Sequence, residues 1–179
     1  MIAQFDAYSI DQIQEKDAWK ICDFMVANEA RFKHYFPKTL EQNLTPTLSE
    51  LFVQKMLKQS RLKEAFLFTL KHEETRELAG IIYIKKIDWH KKQGEFSYCI
   101  GYSFEGQNLT SRAIKTLSDY AFVTLGLQTL QIISHKDNLG SIKVALKNHF
   151  KWQKTLENEF TPVGGQPLNM ELYELYRNH

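Results

Sequence analysis

Nineteen residues, Glu95 to Ala113 (EFSYCIGYSFEGQNLTSRA), constrain the fold of this chain more than any other stretch. From Glu95 to Ile100 the side chains alternate. Phe96, Tyr98 and Ile100 point one way and Glu95, Ser97 and Cys99 the other, which is the period of a strand. Gly101, Gly106 and small polar residues follow and predict a loop. From Arg112 the apolar residues Ile114, Leu117, Ala121 and Leu125 fall at helical spacing. A glycine-containing loop feeding a helix N-terminus gathers free backbone N–H groups at one point. With the helix dipole behind them, they suit the oxygens of a phosphate. Many α/β chains carry such a turn, so the outline alone is a weak sign of an anion site.

The rest of the chain bounds the reading. Its 179 residues predict a single domain over 1–179, and a hydrophobic fraction of 43% with 13% aromatics suffices for a core. The net charge is +2 and the charges are spread. No run of one sign predicts direct nucleic-acid or membrane binding, and Lys85-Lys86 and Lys91-Lys92 read as solvated strand ends and turns. The two cysteines, Cys22 and Cys99, have no second Cys or His at metal-ligand spacing. Each reads as a small core hydrophobe, and the count fits a reducing compartment. Without a signal-like N-terminus or a long apolar run, the cytoplasm is the simple expectation.

In chain order, Ala7–Ile13 predicts a first strand. Asp17–Asn28 predicts a helix with Ala18, Ile21, Cys22, Met25 and Val26 on one stripe. Its continuation to Pro37 carries the aromatics Phe32, Tyr35 and Phe36. Residues 38–47 read as a loop, and Thr47-Leu-Ser-Glu50 has capping-box spacing for a second helix burying Val53, Met56 and Leu57. Ala65–Lys71 and Leu78–Ile87 predict a hairpin, and a turn at His90–Gly94 leads into the Glu95 strand. After the third helix, Gly126 occupies a C-cap place. Leu130–Ser134 predicts a strand, and a fourth helix opens at Asp137-Asn138 with Ile142, Ala145, Leu146 and His149 on one face. Lys151–Phe160 and Leu168–Arg177 predict a last hairpin.

Matched residue by residue, Glu95–Ala113 resembles the acetyl-CoA-binding core of the GNAT N-acetyltransferases, and within them the RimJ/RimL-like group. The group's pattern is close to E-I-G-Y-W-L, four residues, then Q-G-K-G-Y-A-T-E-A. Without a gap, Glu95, Tyr98, Ile100, Gly106 and Ala113 fall on its Glu, Tyr, apolar, first Gly and last Ala. A second motif, N-x-x-S-x-x-V-x-x-x-x-G-F, falls on Asn138, Ser141, Val144 and Phe150, with His149 replacing the Gly. Tyr173 matches the Tyr of a closing D-x-x-x-Y strand in which Asn169 replaces the Asp. The segment from Asn28 to Pro37 is similar to the group's N-R-x-x-L-x-x-W-x-P.

The resemblance implies an α/β (α+β) GNAT fold: a mixed, mostly antiparallel sheet of about six to seven strands flanked by four helices. It implies acetyl-CoA as co-substrate and no metal. The strand backbone from Tyr98 through Cys99 and Ile100 to Gly101 would serve the pantetheine arm. The loop Glu105, Gly106, Gln107, Asn108, Leu109, Thr110 and Ser111 would hold the pyrophosphate, with Asn138 and Ser141 near the cofactor. Phe32, Tyr35 and Phe36 would help wall the acceptor site, against the plain alternative of core packing. The broader motif, Q/R-x-x-G-x-G/A, is altered at Glu105, Asn108 and Thr110. Asn tolerates a left-handed turn, so Asn108 can stand in for Gly. Thr110 adds a side chain near phosphate, and Glu105 brings an unfavourable charge unless it turns outward.

Acetyl transfer to an amine needs a neutral nucleophile, a stabilised oxyanion and a proton for the departing thiolate. Glu95 is the candidate base, acting through water, and burial of a carboxyl favours its proton affinity. The alternative for Glu95 is a strand-edge ion pair with Lys91 or Lys92. Ser141 is the candidate donor to sulfur, as the RimJ/RimL-like resemblance implies. Many other GNAT enzymes use a Tyr where this chain has Ala145. The plain alternative for Ser141 is helix capping. An amide near Tyr98 or Cys99 would serve the oxyanion. His34, His72, His90, His135, His149 and His179 are scattered, which disfavours a metal site. The expected function is an N-acetyltransferase acting on a protein N-terminal α-amine or a small amine, and a homodimer is compatible with it. The alternative is a weakly binding or regulatory GNAT-fold module.

Overall fold

The structure, a computed structural model, describes residues 1–177, so His179 lies outside the described residues. The strands are β1 (Ala3–Phe5), β2 (Tyr8–Gln12), β3 (Phe66–His72), β4 (Leu78–Asp88), β5 (Gln93–Ile100), β6 (Thr129–Ser134), β7 (Lys151–Phe160) and β8 (Leu168–Tyr176). The helices are α1 (Ala18–Ala27), α2 (Glu29–Tyr35), α3 (Pro37–Glu41), α4 (Pro46–Arg61), α5 (Leu109–Val123) and α6 (Leu139–Lys147). One sheet has the order β1-β2-β3-β4-β5-β6-β8-β7. β5 and β6 run parallel, and the pairs β1-β2, β2-β3, β3-β4, β6-β8 and β7-β8 run antiparallel.

Among the described residues the sheet has eight strands, against the six to seven expected. The additional strand is β1, which Asp6 at φ 50° turns back onto β2. A two-residue Asp-Ala turn lacks the Gly that announces such hairpins in sequence. Among the described residues there are six α-helices rather than four, because α2 separates from α1 at Asn28 and α3 forms where a loop was expected. α2 ends at Tyr35, and Pro37 opens α3 from its N1 position, where its missing N–H costs nothing. The loop expected over 38–47 therefore begins with a helix. α4 starts two residues earlier than the capping-box reading. Thr45 is its N-cap, accepting from Leu48 N at 3.3 Å, with Pro46 at N1. In α6, Leu146 is exposed and His149 sits past the C-cap at φ 63°, so the apolar face is narrower than expected.

Contacts divide the chain into two units, Met1–Ile84 with Tyr98–Thr110, and Lys85–Ser97 with the chain from Ser111 onward. In the first, Ile21 and Met25 of α1, Phe32 of α2, Phe52, Val53 and Met56 of α4, and Leu67 and Ile81 of the sheet make the core. Phe24 and Phe32 lie 5.3 Å apart, ring to ring. A buried ion pair joins Lys71 Nζ to Asp17 Oδ1 at 2.6 Å. Gly80 lets two backbones meet: a Cβ there would lie 2.8 Å from the Cys99 carbonyl oxygen. In the second unit, α5 buries Ala113, Ile114, Leu117 and Ala121, a spacing that keeps one face inward. Phe96 and Phe150 pack edge to face at 6.4 Å, and β7 is exposed along most of its length.

Candidate functional site

The loop between β5 and α5 belongs to the first unit up to Thr110. Gly101 is extended at φ −66°, and its N–H donates to Ala79 O at 2.8 Å. A single 3-10 turn, Tyr102–Phe104, follows. Gly106 then takes φ 73° and Asn108 φ 61° before α5 begins at Leu109. Both residues are exposed, and a Cβ at Gly106 would meet nothing within 4 Å. Two left-handed residues one apart turn the chain sharply into the helix. Asn has the conformation that its place in the motif asks of a Gly, because its short polar side chain tolerates this region better than most.

Glu105 faces Arg31 of α2, with Arg31 Nη2 2.5 Å from Glu105 Oε1. The same guanidinium donates through Nη1 to Ile100 O at 3.2 Å. One helical turn before Arg31, Asn28 Oδ1 accepts from Tyr102 N at 2.9 Å, while Asn28 Nδ2 donates to Phe24 O at 2.8 Å. On β2, Tyr8 OH donates to Gln107 Oε1 at 3.2 Å, and Gln107 Nε2 reaches Ser103 O at 3.2 Å. Asn28 and Arg31 thus hold the loop from its entry at Ile100 and Tyr102 to its middle at Glu105. Neither anchor has a motif-like spacing to the loop. The sequence signal was only their i,i+3 relation on a helix start.

Along β5, Cys99 is buried, and burial pushes its thiol well above the usual range, so it is no nucleophile. Tyr98 and Ile100 are partly exposed. Phe32 is 1% exposed and belongs to the core, so any wall role it has acts through Phe36, whose ring lies 6.2 Å away. Tyr35 is exposed.

In the second unit, β5 pairs in parallel with β6 from Gln93↔Thr129 to Phe96↔Ile132. Glu95 lies inside that register with its side chain 9% exposed. Its partners are Lys86 Nζ at 2.9 Å and Lys85 Nζ at 3.6 Å, not Lys91 or Lys92. Lys91 sits instead 3.9 Å from Asp88. Lys86 takes φ 49°, a backbone irregularity within β4 that no sequence pattern announced.

Asn138 is the N-cap of α6, its Oδ1 accepting from Ser141 N at 3.2 Å. Ser141 is half-buried in the first turn of that helix, and Ala145 one turn on is fully buried. Ser111, in the first turn of α5, has its hydroxyl bound by Asn148 Nδ2 at 2.9 Å, and Asn148 Nδ2 also reaches Val144 O. Asn148 was not singled out in the sequence. Among the described residues no cluster of His, Cys, Asp or Glu could hold a metal ion, and no helix is long and apolar enough to cross a membrane.

Comparison with known proteins gives the same outline. Spermidine N(1)-acetyltransferase of Escherichia coli K12 is 32% identical over 93 residues, 52% of this chain and 50% of that protein. An uncharacterized N-acetyltransferase, p20, of Bacillus licheniformis is 27% identical over 62% of this chain and 61% of its own length. The matched stretch spans about half the length of the spermidine enzyme. Among solved structures, the ribosomal-protein-S5-alanine acetyltransferase of Vibrio fischeri has a TM-score of 0.91 at 18% identity, over 98% of this chain and 96% of that one. RimL, a ribosomal L7/L12 α-N-protein acetyltransferase in complex with coenzyme A, has a TM-score of 0.90 at 17% identity, over 98% and 97%. These likenesses show the fold. The family model described as "Acetyltransferase (GNAT) domain" matches residues 9–151, and on that match this chain belongs to the GNAT acetyltransferase family.

Proposed function

We propose that this chain moves an acetyl group from acetyl-CoA to a primary amine, with a protein N-terminal α-amine as first acceptor class and a small amine as second. The observation that carries the reading is the pair of left-handed residues, Gly106 and Asn108, immediately before α5. Left-handed turns leading into a helix N-terminus are a setting whose backbone N–H groups favour an anionic diphosphate. The residues present fit such a group, because Glu105 is engaged by Arg31 rather than left as a free negative charge. Gln107 to Ser111 are assigned to the diphosphate and the backbone of Tyr98–Gly101 to the pantetheine arm. Acetyl-CoA supplies the activated acyl group.

Glu95 takes the proton of the attacking amine through water, with Lys85 and Lys86 beside its carboxylate. A backbone amide near Tyr98 or Cys99 donates to the carbonyl oxygen as negative charge develops there. Ser141 donates its hydroxyl proton to the departing sulfur while Asn138 fixes the turn that carries it. Lys85 and Lys86 together outweigh the charge of Glu95. That balance favours an acceptor with one amino group over a polycation, and agrees with the ribosomal-protein acetyltransferases among the structural neighbours more than with the spermidine enzyme.

Calorimetry with acetyl-CoA, followed by thiol release against N-terminal Ser and Ala peptides, amino acids, spermidine and aminoglycosides, tests the reading. Micromolar binding with thiol release from peptides supports it. The absence of binding heat favours the regulatory-module alternative, and turnover only with spermidine removes the preference for an α-amine.

A further inference from the structure

The loop assigned to the diphosphate carries a carboxylate of its own, and the fold supplies a cation for it from a distant part of the chain. Arg31 Nη2 is 2.5 Å from Glu105 Oε1, and Nη1 donates to Ile100 O at 3.2 Å. A forked guanidinium suits such a double task, because its donors are fixed in one plane. Asn28 holds Tyr102 N from the same helix start. Glu105 stands immediately before Gly106 and three residues before Asn108, so it brings a carboxylate into the segment assigned to an anion.

We infer that Arg31 is a positioning residue for the diphosphate loop. It cancels the charge of Glu105 and ties the loop's entry at Ile100 to its middle at Glu105, without itself holding the phosphates. The inference rests on the proposed acetyl-CoA reading. Two alternatives predict different results. If Arg31 contacted phosphate directly, its loss would weaken binding whatever stood at position 105. If it only compensates Glu105, removing both charges together restores binding.

The test is acetyl-CoA calorimetry on wild-type protein and on Arg31→Gln, Glu105→Gln, the double variant and Arg31→Lys. Hydrogen exchange of the Tyr102–Thr110 amides in the free proteins and thermal unfolding accompany it. Arg31→Gln is expected to loosen acetyl-CoA by about tenfold, the scale of one uncompensated and partly screened charge beside an anion. Glu105→Gln is expected to equal or exceed wild-type affinity, and the double variant to return within about threefold of it. Arg31→Lys keeps the charge and should fall between wild type and Arg31→Gln. Faster exchange from Tyr102 to Asn108 in Arg31→Gln, at an unchanged unfolding temperature, separates a loosened loop from a damaged fold. A double variant as weak as Arg31→Gln overturns the inference alone. A wild-type protein that takes up no acetyl-CoA overturns the reading beneath it as well.

Discussion

Glu95 Oε2 lies 2.9 Å from Lys86 Nζ, and Lys85 approaches the other carboxylate oxygen at 3.6 Å. The carboxylate is nearly closed to solvent, yet Lys86 is 62% exposed, so the pair reaches from the sheet to the surface. The proposed base therefore sits beside two lysines, one of them largely exposed.

Glu95→Gln preserves shape and removes proton affinity. Turnover is expected to fall about 100-fold, the ordinary loss of a general base, with acetyl-CoA affinity unchanged. Steady-state kinetics beside calorimetry checks this. Undiminished turnover removes Glu95 from the chemistry and leaves it as an ion-paired strand residue.

At the start of α6, Asn138 caps the helix through the backbone N–H of Ser141, so the cap does not require the Ser141 hydroxyl. Ser141→Ala should lower turnover about tenfold with little change in cofactor affinity or melting temperature. Asn138→Ala should cost about 1 kcal/mol of stability, a melting shift of roughly 3 °C for a chain of this size. Equal losses of stability in both variants would assign Ser141 to the cap alone.

Asn108 holds φ 61°, a conformation that Gly adopts without steric cost. Asn108→Gly is expected to tighten acetyl-CoA by a few-fold, read by calorimetry. A looser complex would mean that the Asn side chain itself touches the cofactor.

The parts legible in the sequence are those where local chemistry dictates conformation. Alternation located β5, and helical spacing located α5, although that helix begins at Leu109 and ends at Val123, so Leu125 and Gly126 (φ 75°) lie beyond it. The turn at Asn108 followed from what Asn tolerates. The parts that were not legible depend on long-range approach. Nothing near Glu105 indicates that Arg31, far back in the chain, will meet it. Glu95 was expected to find Lys91 or Lys92 in the adjacent turn. The antiparallel return of the chain brings Lys85 and Lys86 to it instead. Phe32 and Tyr35 look alike as aromatics, but helix phase puts one in the core and the other in solvent.

Gly80 is fixed by backbone approach rather than by a turn. Gly80→Ala places a Cβ 2.8 Å from the Cys99 carbonyl, an atom that cannot swing away as a side-chain tip would. Destabilisation of about 2 kcal/mol is expected from such overpacking, measured by urea unfolding. An unchanged midpoint would show that the strands separate there without cost.

Lys71 and Asp17 form an ion pair in which both side chains are 2% exposed. Asp17 also accepts from Gln14 N through Oδ2 at 2.9 Å, closing the turn that leads into α1. A buried pair is costly to break from one side, because the survivor keeps its desolvation without its partner. Lys71→Met should therefore destabilise by about 3 kcal/mol, within the range for an orphaned buried charge. Asp17→Asn keeps an acceptor for Gln14 N but orphans Lys71, so it should cost a similar amount. In the double variant the two losses should not add, since neither charge remains. Its stability is expected to exceed that of either single variant, and the double-mutant cycle in urea reads the coupling. Additive losses would show that each side chain is held by its other neighbours and that the pair contributes nothing of its own.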